Sequence, residues 1–310
     1  MIREIVGVDV ASKELVAYRE DGAWVTVPNQ KREISGFLKD LPKGAIVALE
    51  ATGGYGHLLA ELACKKGFTV YMLQPGKVKH FCNSSPSRGK TDKLDARDIA
   101  EYVRTFETRL HPYTLLPKFE ARLRKLCRTK EALADKLASL RLQLRSLGDK
   151  PQEIKKTLAG LEKRVVGLNA DINTMLASAE DAKVLFKIPG VKANLIGAVL
   201  PALRTIKFKN KYALDSYAGI DLKPNESGKF KGKRRISHQG DPHLRRAVYM
   251  AGFAGTTSKV WKPYYQELIK QKKLAPIAAI NALGRKILHT VFGVFRSQTE
   301  FELLTLDIKT

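Results

Sequence analysis

Four acidic residues stand where acids are unusual, and they constrain the fold of this chain more than any other feature. Asp9 interrupts an apolar, strand-like run, and Glu50 ends another. Asp92 and Asp95 stand three residues apart near the start of a segment with helical spacing. A carboxylate at the inner end of a sheet strand is costly to bury unless a cation offsets its charge. The pattern therefore predicts a sheet whose strand ends carry acids, with a helix that adds two more.

The first part of the chain alternates strand and helix patterns. Runs of apolar and β-branched residues predict strands at Ile5–Val10, Leu15–Tyr18, Trp24–Val27, Ile46–Glu50 and Thr69–Leu73. Helical spacing predicts helices at Ile34–Leu41, Tyr55–Lys66 and Lys93–Thr105. Three strands followed by alternating helix and strand is the order of a ribonuclease H-like sheet. We place this α/β domain at residues 1–112, with a polar, basic loop at 83–90.

Residues 113–182 have a different pattern, with leucine and isoleucine at heptad spacing. The apolar positions are Leu133, Leu137, Leu140, Leu144 and Leu147, then Ile154, Leu158, Leu161, Val165, Leu168, Ile172 and Met175. Lys130 breaks this stripe upstream, and residues 148–151 separate its two halves. The spacing predicts a coiled-coil arm. The break favours a helical hairpin, but the stripe could also pair with another protomer.

Residues 183–310 are predicted to form a mostly helical domain. It opens with Ile188-Pro189-Gly190-Val191, which is typical of a helix-hairpin-helix turn that holds a DNA phosphate, or of an ordinary Pro-Gly turn. Its densest basic stretch, residues 227–237, begins with Ser227-Gly228. The helix that follows it is predicted to carry Arg245 and Arg246.

The charge of the chain limits the partners it can have. Its 310 residues carry a formal net charge of +24 and give a pI near 9.9. Neutralising phosphates with lysine and arginine releases counterions, so a chain this basic favours a polyanion. We therefore expect nucleic acid as the main partner.

The sequence also indicates where the protein works. No apolar leader precedes the first strand, and the longest apolar stretch, Pro276–Phe295, contains charged residues, so we expect no secretory signal and no membrane span. Cys64, Cys82 and Cys127 lie far apart, which predicts neither a disulfide framework nor a zinc site. These features favour a cytoplasmic, nucleoid-associated protein.

The four acids suit a magnesium site. Mg²⁺ prefers oxygen ligands, and two such ions about 4 Å apart can serve a phosphoryl displacement. Asp92 and Asp95 share one helical face and could converge with Asp9 and Glu50. Asp98, one turn further, is the competing ligand. Taken singly, Asp92 and Asp95 could instead be a helix cap and a first-turn partner of the helix dipole.

Ser227 is a candidate nucleophile. Its hydroxyl lies among cations that could stabilise a pentavalent phosphate, although Ser-Gly in a basic loop is more often a phosphate-binding turn. Ser237 is a second hydroxyl in the same stretch, and the residues alone do not choose between them. We expect six cations to bind the nucleic-acid backbone: Lys229, Lys233, Arg234, Arg235, Arg245 and Arg246.

An ordered set of short motifs resembles one family along nearly the whole chain. The motifs are Gly7-Val8-Asp9, Leu49-Glu50-Ala51-Thr52-Gly53, Lys90-Thr91-Asp92 with Asp95-Ala96-Arg97, Ile188-Pro189-Gly190-Val191, Tyr217-Ala218-Gly219-Ile220, Glu226-Ser227-Gly228, and Gly240-Asp241 with Leu244-Arg245-Arg246-Ala247. Together they resemble the DEDD transposases of insertion sequences, which are related to the Piv invertases. Each motif is unspecific alone, but the ordered set is specific. The segment after Ser227 is more basic than the family motif requires.

The resemblance implies more than the residues show. It implies a RuvC-like domain with Asp9, Glu50, Asp92 and Asp95 as ligands of Mg²⁺, and a C-terminal transposase domain in which Ser227 becomes joined to DNA. It also implies a structured guide RNA that pairs with donor and target DNA, and assembly as dimers and tetramers.

We therefore predict an RNA-guided, site-specific DNA recombinase of an insertion sequence that uses Mg²⁺ and a serine nucleophile. The leading alternative is a structure-specific nuclease that resolves junctions by hydrolysis, with Ser227 only binding phosphate. An actin-like or sugar-kinase-like ATPase is disfavoured by the missing Gly-rich phosphate loops and by the charge. A non-catalytic RNA-binding scaffold is the fourth possibility.

Overall fold

The computed structural model describes residues 3–51, 54–84, 92–145, 148, 151–223, 226–227, 230–232, 235–299 and 301. Only the backbone is described at residues 82–84, 92–93, 226–227 and 230–231. Contacts divide the chain into two compact units, residues 1–115 and 116–310. The finer predicted boundaries, after residues 112 and 182, stay a prediction.

The first unit is a five-stranded mixed sheet with helices on both faces. Its elements are β1 (Ile5–Val10), β2 (Glu14–Tyr18), β3 (Trp24–Pro28), α1 (Lys31–Phe37), β4 (Ile46–Glu50), α2 (His57–Lys65), β5 (Thr69–Leu73), α3 (Pro75–Ser84) and α4 (Asp92–Phe106). The strand order is β3-β2-β1-β4-β5, with β1 antiparallel to β2 and parallel to β4. This arrangement is consistent with a RuvC-like DEDD domain.

Alternation along the strands separates two cores. Val6, Val8 and Val10 of β1 face one core, which is completed by residues of α1 and α2. Ile5, on the other face, packs in a second core with residues of α3 and α4, including Ile99. Because successive side chains point to opposite faces, Gly7 and Asp9 belong to the face covered by α4.

Two predictions about this unit need correction. The helix predicted at Ile34–Leu41 begins and ends earlier, as α1 (Lys31–Phe37). Helix α3 was not predicted, because it is short, begins at Pro75-Gly76 and ends in polar residues that suggested a loop. The predicted basic loop at 83–90 falls mostly outside the described residues.

The second unit is mostly helical. Its helices are α5 (Lys118–Arg145), α6 (Gln152–Ala177), α7 (Glu180–Phe186), α8 (Ala193–Thr205), α9 (Lys211–Ala218), α10 (Pro242–Gly255), α11 (Lys262–Lys270) and α12 (Pro276–Ser297). Four short strands stand between α9 and α10: β6 (Leu222–Lys223), β7 (Glu226–Ser227), β8 (Phe230–Lys231) and β9 (Arg235–Ile236). One core is formed by residues of α5, α6, α7, α8, α9, α10 and α12. Trp261, which directly precedes α11, belongs to the same core.

Helices α5 and α6 pack against each other as an antiparallel hairpin. Arg141 of α5 forms an ion pair with Glu162 of α6, while Lys130, earlier in α5, reaches Asn169, later in α6. Leu137 and Ile172 of the heptad stripe are buried. A coiled coil with a second protomer stays a prediction.

Candidate active site

Asp9 and Glu50 lie side by side at the carboxyl ends of two parallel strands. The register of β1 and β4 pairs Val8 with Leu49, and both acids are the next residue along their strands. On the outer sides, Asp9 pairs with Val16 of β2 and Glu50 with Leu73 of β5. Both acids are half-buried. The structure therefore brings together two of the four predicted acids.

Helix α4 crosses the same face of the sheet at very short range. A Cβ on Gly7 would lie 2.1 Å from the carbonyl oxygen of Ala96 and 2.7 Å from the backbone nitrogen of Ala100. Only glycine permits this approach. Asp95, next to Ala96, is half-buried. The part of α4 that contains Ala96 and Ala100 is thus held over β1, in which Asp9 is the last residue but one.

Asp92 is the first residue of α4, but its side chain lies outside the described part of the chain. Its spacing from Asp95 places both residues on one face of the helix. Within the described residues, no group of three potential ligands is close enough to hold a metal ion. The convergence of all four acids on one ion stays a prediction.

The burial of Asp98, the competing ligand, bears separately on the presence of a cation. Asp98 is only 4% exposed, and its Oδ1 makes no hydrogen bond among the described residues. The nearest described cation is Arg97, with 3.9 Å between its Nη2 and Oδ1 of Asp98. A buried carboxylate oxygen without a donor is costly, and a nearby cation would offset that cost. Carboxylate oxygens are the ligands that a hard divalent cation such as Mg²⁺ prefers, so the chemistry of these acids fits such an ion.

The predicted nucleophile lies in the second unit, on a small β-structure. Ser227 ends β7 and pairs with Phe230 of β8, so the two strands form a two-stranded antiparallel hairpin. The outer strands β6 and β9 form a stem, with Lys223 paired to Arg235. The sequence predicted only a flexible basic turn here, because strands of two residues leave no periodic signal. The side chain of Ser227 is outside the described part of the chain.

The base of this stem is fixed by backbone contacts. The backbone nitrogen of Asp241 donates to Tyr217 O (2.8 Å), and that of His238 donates to Gly219 O (3.1 Å). A Cβ on Gly240 would lie 2.4 Å from the nitrogen of Gly219, which itself has φ of +69°. The two turns on either side of the stem are therefore in direct backbone contact.

The cations predicted to bind nucleic acid divide into three groups. Arg235 is exposed on the stem, whereas Lys229, Lys233 and Arg234 fall outside the described residues. Arg245 donates through Nη1 to the carbonyls of Ala218 and His238 (3.3 Å each) and so clamps the base of the stem. Arg246 pairs with Glu131 and Asp135 of α5. Their contacts with nucleic acid stay predictions.

Ser237, the second candidate hydroxyl, stands at the base of the stem. Its Oγ donates to Oδ1 of Asp221, and its backbone nitrogen donates to Asp221 O (2.8 Å). The sequence did not single out Asp221. These two hydrogen bonds to Asp221 give Ser237 a structural role at the base of the stem.

Sequence reasoning also missed a buried ionic cluster. Asp215 of α9 is 1% exposed and accepts from Nε2 of His289 (2.8 and 2.9 Å) and from Nε of Arg285 (2.8 Å). Arg285 and His289 are among the polar residues of the apolar stretch Pro276–Phe295, and the sequence was used only to argue that this stretch does not span a membrane. Charged groups inside such a helix need buried partners, and that was the available signal.

The predicted hairpin turn lies between α7 and α8. Gly190 has φ of +79°, and the indole Nε1 of buried Trp261 donates to Pro189 O (2.6 Å). The hydrogen bond from the buried indole therefore stabilises the turn from the interior of the second unit. Its binding of a DNA phosphate stays a prediction. Among the described helices, none is long and apolar enough to cross a membrane.

Two family models match the chain in order. The model for DEDD transposases of the IS110 group, described as "Transposase", matches residues 6–151. A second, described as "Transposase IS116/IS110/IS902 family", matches residues 182–266. The chain belongs to the IS110/IS116/IS902 family of transposases. It is thus a DNA-rearranging enzyme, and the predicted family resemblance is confirmed.

The first match covers the sheet and continues through α5, and the second begins after α6. The chain is also similar to two curated proteins called "Pilin gene-inverting protein". The one from Moraxella bovis is 26% identical over 269 residues, which cover 82% of this chain and 81% of the relative. The one from Moraxella lacunata is 25% identical with the same coverage.

Proposed function

We propose that this transposase is a site-specific recombinase that cuts and rejoins DNA through a covalent link to Ser227. The observation that carries the proposal is the placement of Asp9 and Glu50 on adjacent parallel strand ends, on the face covered by the start of α4. That arrangement suits phosphodiester chemistry, since acids at one edge of a sheet can share a hard cation. The similarity to gene-inverting proteins supports rearrangement at defined sites.

Asp9, Glu50, Asp92 and Asp95 would hold Mg²⁺, with Asp98 as the competing ligand. When bound, Mg²⁺ would stabilise the charge that develops on the phosphate and on the departing oxygen. The sheet fixes Asp9 and Glu50 next to each other, so these two acids would hold the ion from adjacent strand ends. The orphaned, buried Oδ1 of Asp98 supports a cation close to α4.

Ser227 would supply the nucleophile. Its Oγ forms a bond to phosphorus, the bond from phosphorus to one deoxyribose oxygen breaks, and that oxygen takes up a proton while the serine proton passes to solvent. The phosphoserine link keeps the energy of the broken bond, so attack by a DNA hydroxyl reverses the step with a new partner. The position of Ser227 at the end of β7, close in sequence to the exposed Arg235, supports this role.

Recognition of the DNA would be shared with a structured guide RNA. Base pairing of the RNA with donor and target strands would read sequence, while the protein contacts backbone and shape. The net charge of +24 supports a large polyanionic partner, and the exposed Arg235 lies on the stem of the Ser227 hairpin. We further propose that the active complex is a dimer or tetramer, assembled through the α5–α6 hairpin.

The test uses the full chain with its co-purifying RNA, Mg²⁺ and DNA that spans the junction of its own element. We expect joined DNA products from the wild type and none from Ser227→Ala or Asp9→Asn. Ser237→Ala is the matched hydroxyl control and should retain joining if it folds. Cleavage that persists in Ser227→Ala without joined product would replace the proposal with the junction-resolving nuclease. Joining that survives ribonuclease treatment would overturn RNA guidance.

A further inference from the structure

A cavity of about 170 Å³ lies within the second unit, between α5, α8 and α10. Arg246, one of the cations predicted to bind nucleic acid, lines it, but the predicted functions did not otherwise use this cavity. One end is polar, with Lys130 and Asn194, and the walls include the small apolar residues Ala198 and Ala247. A cavity of this size is smaller than a drug-sized site and suits one planar fragment.

Lys130 is the main feature of the polar end. Its Nζ donates to Oδ1 of Asn194 and to Oδ1 of Asn169 (3.4 Å), and burial lowers its pKa. Among the described residues, no carboxylate forms an ion pair with it. An ammonium has three donors, so one remains available for a ligand. This explains why a lysine interrupts the apolar stripe of α5.

Asn194 adds a second donor beside the first. Because its Oδ1 accepts from Lys130, its amide nitrogen is the atom left for a ligand. The polar end of the cavity thus presents two adjacent donors, Nζ of Lys130 and the amide nitrogen of Asn194. Such a pair matches a ligand edge that carries two neighbouring acceptors.

The mouth of the cavity carries groups that suit the face of a nucleotide base and a phosphate. Met250 is 48% exposed at the lining, an unusual position for a large apolar side chain. Arg128 also lines the cavity and is partly exposed. Its Nη2 lies 3.5 Å from Oδ2 of Asp241. Apolar and guanidinium surfaces cover the faces of unstacked bases, and arginine also contacts phosphate.

We propose that this cavity binds a single unstacked nucleotide whose base is guanine. The N7 and O6 of guanine are neighbouring acceptors, whereas adenine presents an acceptor and a donor at the same edge. The inference rests on the proposed function in one respect, since it takes nucleic acid as the substrate. Enzymes that do chemistry on a base extrude that base from the stack into a pocket, so a pocket for one unstacked base has a precedent. The nucleotide would fix the register of a strand against the domain that carries Ser227.

The experiment measures binding of guanosine 5′-monophosphate to the full chain by calorimetry at low salt, with adenosine 5′-monophosphate and inorganic phosphate as comparators. We expect the guanine nucleotide to bind about tenfold or more tightly than the adenine nucleotide. Lys130→Met should abolish that preference. Lys136→Met, which removes an exposed charge from the same helix, should keep it.

A second pair of variants tests the location without removing a charge. Ala198→Leu fills the cavity and should prevent binding, whereas Ala132→Leu, at an exposed position of α5, should not. Alkylation of Cys127, which lines the cavity, should be slowed by the guanine nucleotide in the wild type.

Equal binding of both nucleotides, competition by inorganic phosphate at equal strength, or unchanged binding in Ala198→Leu would each overturn the proposal. Mononucleotide binding needs neither Ser227 nor strand joining. Joined DNA without guanine binding would therefore remove this cavity from the account and leave the recombinase standing. Guanine binding without joined DNA would keep the guanine site and remove the proposed recombinase activity.

Discussion

Gly7 of β1 lies so close beneath Ala96 of α4 that any side chain at position 7 would overlap the carbonyl oxygen of Ala96. This contact sets the height of α4 above the sheet. Because Asp9 follows two residues later on the same face, the contact also sets the distance between Asp9 and the acids of α4. A steric relationship between two apolar positions thus controls the proposed metal site.

Gly7→Ala should therefore disturb both stability and catalysis. Its Cβ would lie 2.1 Å from the carbonyl oxygen of Ala96, so α4 has to move. We expect a loss of about 3 kcal/mol in the free energy of unfolding, measured in urea, with strand joining reduced further than the loss of folded protein explains. Gly36→Ala in α1, where the added Cβ meets nothing within 4 Å, should be neutral or stabilising by about 0.5–1 kcal/mol. Equal effects of the two changes would refute the steric argument.

Removal of the metal ligands should change the response of the protein to Mg²⁺. A ligand that binds only the folded state stabilises it by about 2.7 kcal/mol at a hundred times its dissociation constant. We expect added Mg²⁺ to raise the Tm of the wild type and to leave the Tm of Asp9→Asn and Glu50→Gln unchanged. Asp171→Asn, at an exposed position of α6, is the control and should respond like the wild type. A full Mg²⁺ response in Asp9→Asn would place the ion elsewhere.

The same measurement separates the two candidate ligands of α4. If Asp95 is the ligand, Asp95→Asn loses the Mg²⁺ response and Asp98→Asn keeps it, because the buried Asp98 then acts only through its charge. We expect this result from the spacing of Asp92 and Asp95 in the first turn. The opposite pattern would make Asp98 the ligand and would connect it to its orphaned Oδ1.

The buried cluster of Asp215, His289 and Arg285 should be a major source of stability in the second unit. Asp215→Asn leaves the guanidinium of Arg285 without its carboxylate in a site where Asp215 is 1% exposed. Breaking a buried pair in this way costs about 3 kcal/mol. Glu180→Gln removes an exposed pair with Lys183 and should cost less than about 0.5 kcal/mol. Urea unfolding of both variants measures the difference, and a cost below about 1 kcal/mol for Asp215→Asn would contradict the cluster's role.

Cys127 should react slowly with thiol reagents at neutral pH. Burial raises the pKa of its thiol to about 11, and only the thiolate is nucleophilic. At pH 8 about one thiol in a thousand is then ionised, and the alkylation rate should rise about tenfold for each pH unit up to pH 11. Mass spectrometry of the Cys127 peptide after timed alkylation gives this profile. A rate that levels off near pH 9 would show an ordinary thiol.

The sheet could be predicted from the sequence because its strands are continuous apolar runs. The bounds of β1, β4 and β5 match those predicted, and the acids were noticed because they interrupt or end these runs. The Ser227 hairpin could not be predicted, since pairs of two-residue strands are made by tertiary contacts such as those of Gly219 with Gly240. The guanine pocket was hidden for a similar reason. Lys130 and Asn194 are 64 residues apart, and only the packing of α5 against α8 brings them together.

The central claim is that Ser227 becomes covalently joined to DNA. The most direct measurement is mass spectrometry of peptides from the full chain after reaction with its RNA, Mg²⁺ and junction DNA, followed by nuclease digestion. We predict a nucleotide attached to the peptide that contains Ser227, and none in Asp9→Asn or Ser227→Ala. Because rejoining releases the serine, the reaction is stopped with denaturant at successive times. A nucleotide attached to Ser237 instead, or joined DNA that forms with no modified peptide at any time, would contradict the account.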